Sequence, residues 1–149
     1  MTGLYIIGVV LVLALAFGGY RRRTDGRVRG PRPAASDRPQ EARLDAGSLG
    51  AGLGSRATFV QFSSSVCAPC RATHRLLSEF TSAANTVAGV PRLAHIDIDA
   101  ETRLDLVREL GVTRTPTVLV LDPGGAVRQR IVGAPRKPDI EEALQRLAA

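Results

Sequence analysis

The sequence predicts an α/β protein in which helices flank a central mixed β-sheet, preceded by one N-terminal transmembrane helix. Two observations lead to this prediction. From Ala57 onward, short apolar runs typical of strands alternate with segments whose apolar residues recur at helical spacing. Before that point, residues 2–20 contain no charged side chain and approach the ~20 apolar residues that a bilayer span requires.

The elements after Ala57 follow the order βαβαββα. The strands are apolar runs or alternate apolar and polar residues, and the helical segments carry apolar residues three and four positions apart. Gly111 is typical of a helix end, Asp122 to Gly125 of a tight turn between antiparallel strands, and Pro138 of a first helical turn. The predicted elements are a strand at 57–62, a helix at 71–84, a strand at 93–98, a helical segment at 104–110, strands at 116–121 and 127–132, and a final helix that begins near Pro138.

The composition divides the chain of 149 residues into three parts. Residues 1–20 are predicted to be a transmembrane anchor helix, residues 21–56 a basic, flexible juxtamembrane linker rich in Gly, Pro and Arg, and residues 57–149 a globular domain. Within the linker, residues 43–56 are compatible with an extra edge strand or a turn, and their glycines argue against a regular helix.

The arginines follow the apolar span, and none precedes it. Because an excess of Lys and Arg marks the cytoplasmic flank of a span, the pattern predicts an uncleaved, single-pass protein of the cell membrane. Its N-terminus is expected outside and its domain in the cytoplasm, with an extracytoplasmic domain as the alternative. This membrane is one predicted partner.

The basic charge lies mostly outside the predicted domain. The net charge is +6, but residues 21–56 hold nine basic against four acidic side chains, whereas residues 57–149 hold eleven against ten. Because the domain is nearly neutral and contains few aromatic residues, the sequence predicts no nucleic-acid partner.

Cys67 and Cys70 are the only cysteines, and they lie where a predicted strand leads into a helix. The spacing alone is compatible with a redox dithiol, half of a zinc site or a structural disulfide. A thiolate at a helix N-terminus is stabilised by unpaired amides and the helix dipole, so Cys67 is the expected attacking thiol. Cys70, one turn inward, is placed to resolve a mixed disulfide, and Pro69 suits the first helical turn.

Several motifs occur together in one order. They are Cys67-Ala68-Pro69-Cys70 after an apolar strand, the strand end at Asp97 to Asp99, Gly111-Val112 followed by Thr115-Pro116-Thr117, the Pro-Gly-Gly turn, and Ile131 to Ala134 before a final helix. On these motifs, residues 57–149 resemble the thioredoxin family. The resemblance implies a thioredoxin fold and a thiol–disulfide oxidoreductase whose redox-active disulfide is Cys67–Cys70, with no bound cofactor or metal. It also implies protein thiol or disulfide substrates and a protein electron donor or acceptor.

The resemblance extends to individual site residues. It implies that Pro116 follows a cis peptide bond and that Thr115 and Pro116 contact the backbone of a substrate. Gln61 replaces the buried aspartate that, in this family, helps to move the proton of the second thiol, so proton transfer from Cys70 must use water or another group. Ala68 replaces the usual glycine between the cysteines, and Val66 replaces a tryptophan.

Two other classes of function stay open from the sequence. Cys67, Cys70, His74 and His95 offer nitrogen and sulfur ligands for copper or zinc, although neither histidine belongs to a second closely spaced ligand pair. The second alternative is a redox-inactive interaction module that keeps the fold for binding.

Overall fold

The computed structural model describes residues 2–24, 28–29, 42–85 and 92–148. In chain order, the elements are α1 (Thr2–Thr24), β1 (Val28–Arg29), α2 (Ala46–Leu49), β2 (Ala57–Ser63), α3 (Ala68–Ala84), β3 (Leu93–Asp99), α4 (Leu104–Glu109), β4 (Thr117–Leu121), β5 (Val127–Val132) and α5 (Lys137–Ala148). From β2 to α5 they follow the predicted order. Residues 25–27 and 30–41 of the predicted linker lie outside the described residues, and the predicted division of the chain into three parts stays a prediction.

The predicted N-terminal helix is present as α1, but its assignment to a membrane was wrong. Across the described ranges, no helix has both the length and the apolar character needed to cross a bilayer. Such a span takes about 20 predominantly apolar residues. The predicted transmembrane anchor, its location in the cell membrane and the side of the membrane assigned to the domain are all corrected by this finding.

The strands form one mixed sheet, as predicted. In the described part of the chain it has five strands in the order β1-β5-β4-β2-β3. β2 pairs in parallel with β3 and antiparallel with β4, and β5 pairs antiparallel with β4 and β1. Because β2 is an interior strand covered on both faces, all its residues except Ser63 are buried, including the polar Thr58 and Gln61.

Helices cover both faces of the sheet. On one face, Phe59 of β2 packs in a cluster with Leu77 of α3 and Ile140 of α5. On the other face, Phe62 of β2 belongs to a cluster with Leu106 of α4. Because side chains alternate along β2, the strand contributes to two separate cores, one on each face of the sheet. One of these cores holds α3 against the sheet.

Residues 42–54 complete the second face. Leu44 and Leu49 are buried in the cluster that α4 also joins. Between them, Asp45 caps the single turn of α2: its carboxylate accepts the Ser48 N–H at 2.7 Å, and this hydrogen bond lowers the pKa of Asp45. The Leu44 N–H donates to the Gly125 carbonyl at 2.9 Å, and Gly125 has a φ of 79° and no room for a Cβ beside the Leu44 oxygen. The segment is thus fixed to the β4–β5 turn.

Candidate functional site

The two cysteines lie at the junction of β2 and α3, where the sequence places them. Cys67 is the N-cap of α3, and its sulfur accepts the backbone N–H of Cys70 at 3.1 Å. Pro69 occupies the first turn, where a missing N–H costs no helical hydrogen bond. The 17 residues of α3 direct the positive end of its dipole at this sulfur. The local geometry therefore favours negative charge on Cys67.

Cys67 and Cys70 form a disulfide, with their Cα atoms 5.2 Å apart. The exposure of the two residues differs. Cys67 is half-buried and is preceded by Val66, which is 87% exposed, whereas Cys70 is only 2% exposed. Ala68, between the cysteines, is exposed as well. An approaching molecule therefore meets the sulfur of Cys67 first.

Gln61 lies on β2 beneath the second cysteine. Its side chain is fully buried, and its Nε2 donates to the Cys70 carbonyl oxygen at 3.0 Å. Its Oε1 is buried and has no hydrogen-bond partner among the described residues. Gln61 thus holds the backbone of Cys70, but an amide neither accepts nor releases a proton near neutral pH.

The peptide bond between Thr115 and Pro116 is cis, as the resemblance implies. Pro116 is buried and its carbonyl accepts the Gly133 N–H at 2.8 Å, while Thr115 is partly exposed. The next residue, Thr117, opens β4 opposite Phe62, near the end of β2 that leads to the cysteines. Thr115 and Pro116 therefore lie at the same end of the sheet as the dithiol.

A cleft of about 540 Å³ borders the buried cysteine. Its walls come from the end of β2, the first two turns of α3 and the end of β3; they are Ser63, Ser64, Ser65, Cys70, Arg71, His74, Arg75, Asp97 and Asp99. Within it, Asp97 accepts two hydrogen bonds: the Ser63 hydroxyl donates to Oδ1 at 2.6 Å, and Nδ1 of His74 lies 3.0 Å from Oδ2. The cleft is therefore lined mostly by polar residues and contains a hydrogen-bonded series of side chains, Ser63–Asp97–His74.

His95 of β3 contacts this hydrogen-bonded series through the ring of His74. Its ring centroid is 4.9 Å from that of His74, and its Nδ1 is 3.2 Å from the Ser78 hydroxyl. Burial, reinforced by the nearby charge of His74, lowers the pKa of His95 to about 4. His95 is thus a neutral, structural histidine near pH 7.

The sequence indicates both histidines only as possible metal ligands and Asp97 only as part of a strand end. The structure brings His74 and His95 together, but among the described residues no group of three or more His, Cys, Asp or Glu side chains could hold a metal ion. The contact between His74 and Asp97 depends on the packing of α3 against β3, which no local sequence pattern reports.

A mixed sheet with a disulfide at the start of the helix after an interior strand, and with a cis-proline at the same end of the sheet, defines a thioredoxin-fold protein. The model of the thioredoxin-like domain family matches residues 51–148. The chain belongs to this family, and its disulfide-forming cysteine pair supports a thiol–disulfide redox function.

Solved thioredoxin structures share the fold. Mitochondrial thioredoxin 3 from Saccharomyces cerevisiae, in its oxidized form, is 21% identical with a TM-score of 0.50, over 61% of this chain and 78% of that chain. Thioredoxin from Fasciola hepatica is 22% identical with a TM-score of 0.50, over 62% and 82%. Thioredoxin NaTrxh from Nicotiana alata is 25% identical with a TM-score of 0.51, over 62% and 73%. No curated protein matches the sequence significantly.

Proposed function

We propose that this protein is a thiol–disulfide oxidoreductase that exchanges disulfides with protein substrates through Cys67 and Cys70. The observation that carries the proposal is the asymmetry of the pair. The accessible sulfur of Cys67 caps α3, and the sulfur of Cys70 is buried one turn inward. That arrangement suits one cysteine for attack from solvent and the other for an intramolecular second step.

The exchange has two steps. The Cys67 thiolate attacks a substrate disulfide; a bond forms between Cys67 and one substrate sulfur, and the other substrate sulfur leaves with its electron pair. The Cys70 thiolate then attacks Cys67, the Cys67–Cys70 bond forms, and the first substrate sulfur leaves. Two electrons pass from the dithiol to the substrate. In the reverse direction, the Cys67–Cys70 disulfide oxidises a substrate dithiol.

The first step depends on the backbone. Only a thiolate is an effective nucleophile, and the Cys70 N–H together with the dipole of α3 stabilises that charge on Cys67. Ala68 and Pro69 shape this turn and add no charge of their own.

The protein partners are inferred from the surface around Cys67. The exposed Val66 offers an apolar contact, and Thr115 with Pro116 offers backbone at the same end of the sheet to an extended substrate segment. Electrons are exchanged with a protein donor or acceptor. The Cys67–Cys70 disulfide is the only redox group that this chemistry needs, so no organic cofactor or metal takes part.

The test is reduction of a protein disulfide. With dithiothreitol as the reductant, the wild-type protein should accelerate the reduction of insulin, measured as turbidity from the separated B chain. Cys67→Ser should lower the rate to that of dithiothreitol alone, because the attacking sulfur is gone. Ser82→Ala, an exposed substitution further along α3, is the matched control and should keep full activity. A wild-type rate equal to that of dithiothreitol alone would reject the proposal in favour of a redox-inactive interaction module.

A further inference from the structure

The second step of the exchange needs a proton acceptor. Cys70 is 2% exposed, so its thiol cannot pass its proton freely to bulk water when it attacks Cys67. Gln61, the buried polar side chain that contacts the Cys70 backbone, cannot accept a proton. The route must lie along the cleft, which is the polar space that Cys70 borders.

His74 is placed to serve this role by helix geometry. It follows Cys70 by four residues on α3, so both side chains lie on the same face of the helix. Helical side chains lean towards the N-terminus of their helix, which directs His74 over the turn that carries Cys70. Both residues line the cleft, and the His74 side chain is 49% exposed, so a proton that it accepts can leave to solvent.

The hydrogen bonds of His74 determine which nitrogen is available. Nδ1 lies 3.0 Å from Oδ2 of Asp97, a carboxylate oxygen that only accepts, so Nδ1 carries the hydrogen. The lone pair of the neutral ring is then on Nε2. Asp97 is held in turn by the Ser63 hydroxyl at 2.6 Å on its other oxygen. This chain fixes the ring and stabilises the imidazolium once it forms.

We infer that His74 accepts the proton of Cys70 in the resolving step, and that Asp97 and Ser63 are the positioning residues that orient it. The proton passes from Cys70 Sγ to Nε2 of His74, directly or through one water molecule in the cleft. The Cys70 thiolate attacks Cys67, the Cys67–Cys70 bond forms, and the substrate sulfur leaves with its electron pair. His74 then releases the proton to solvent. This inference rests on the proposed function.

The charged surroundings of His74 agree with this role. From its own helix, Arg71 and Arg75 border the cleft, and from β3 it is faced by Asp97, Asp99 and His95. The carboxylate of Asp97 is in direct contact with the ring, and the two guanidinium groups border the same cleft. His95 does not line the cleft and does not compete for the proton.

The test separates the two steps with the disulfide reagent DTNB. The reduced protein releases one thionitrobenzoate when Cys67 attacks and a second when Cys70 resolves, and an excess of DTNB keeps the attack from limiting the rate. His74→Gln should leave the first phase within about twofold of wild type and slow the second about 10²-fold near pH 7, the low end for general-base catalysis. Asp97→Asn should slow the second phase about tenfold, as expected for a residue that orients a base.

The pH profile and chemical rescue distinguish catalysis from a structural effect. In the wild type, the second phase should reach its plateau at lower pH than in His74→Gln, in which hydroxide must take the proton. Added imidazole should accelerate the second phase of His74→Ala but not that of the wild type. Ser82→Ala, the exposed substitution further along α3, is the matched control and should leave both phases unchanged.

Two results would overturn the inference and leave the proposed function standing. One is an active protein whose second phase stays within about twofold of wild type in both His74→Gln and Asp97→Asn across the pH range. The other is an equal loss in both phases, without rescue by imidazole. A wild-type protein that releases no thionitrobenzoate would instead reject the proposed function, and this inference with it.

Discussion

The two sulfurs of one disulfide lie in different surroundings. Cys67 is half-buried at the surface, and its stabilising contact is a backbone amide at the start of α3. Cys70 is buried, its backbone is held by Gln61, and it borders a cleft that contains His74. In the proposed exchange, the first step therefore depends on the backbone amide and the helix dipole at Cys67. The proposed second step depends on particular side chains in the cleft beside Cys70.

The largest effect should separate the two cysteines themselves. Cys70→Ser should still attack DTNB through Cys67 but release one thionitrobenzoate instead of two, because no second thiol can resolve the mixed disulfide. Mass spectrometry of the product should show the reagent bound at Cys67. Cys67→Ser is the matched variant, and its single remaining thiol is buried, so it should react far more slowly. Equal reactivity of the two single-cysteine variants would show that the sulfurs of Cys67 and Cys70 do not differ in accessibility.

A smaller effect should come from supplying a new proton acceptor on the Cys70 side. In the His74→Gln background, Gln61→Glu replaces an amide that contacts the Cys70 backbone by a carboxyl group of the same length. We expect the second phase to accelerate at least about tenfold, since even a poorly aligned base contributes to proton transfer. Gln61→Met, which matches the shape without a base, is the control.

The stability of the Gln61→Glu variant supplies an independent check. Burial raises the pKa of a carboxyl group above its value in the unfolded chain. The folded form then binds more protons, so the free energy of unfolding should decrease as pH rises above the pKa that the carboxyl group has in the unfolded chain.

The Gln61→Met control decides how the kinetic result is interpreted. If Gln61→Met accelerates the second phase as well, packing and not proton transfer limits the resolving step.

Local patterns in the sequence were sufficient for most of the fold and for the dithiol. The order of elements from β2 to α5 follows from apolar spacing and turn residues, which are local properties of the chain. Residues 43–56 were left open between an edge strand and a turn, and the single helical turn of α2 was not expected, because Leu44 and Leu49 lie among glycines without periodicity and are buried through contacts with distant parts of the chain. For the N-terminal helix, the sequence predicted more than the structure bears out: the apolar composition indicated a membrane span that the helix does not provide.

The cleft could not be predicted from the sequence either. Ser63, His74 and Asp97 lie on three different elements, and they meet because β2 and β3 pair in parallel with Gln61 opposite Asp97. Spacing along the chain does not report this register. Because Gln61 replaces a titratable residue, the resemblance predicts that water or another group takes the proton of Cys70, but only the packing places His74 in the same cleft as Cys70.

The smallest effect concerns the pH dependence of stability that His95, a neighbour of the cleft beside Cys70, should cause. His95 lies behind the cleft, and burial, followed by repulsion from His74, lowers its pKa from 6.5 to about 4. Below pH 6.5 the unfolded chain therefore binds a proton that the folded chain does not, so stability increases with pH between about 4 and 6.5 and is lost as pH falls through that window. Because His95 is partly exposed, solvent screening reduces its contribution to about 1 kcal/mol.

Urea unfolding at several pH values between 5 and 7 would measure this loss, and His95→Gln should flatten the dependence by removing the histidine that must stay neutral. The carboxyl of Asp45, whose pKa is lowered by the Ser48 amide, titrates below its ordinary value of 3.8 and therefore outside this range. If the dependence persists unchanged in His95→Gln, the acid-sensitive group lies elsewhere in the molecule. In that case the surroundings of Cys70 would not make the stability of the protein depend on pH. The two sulfurs would then differ only in their exposure and in the proposed proton transfer to His74.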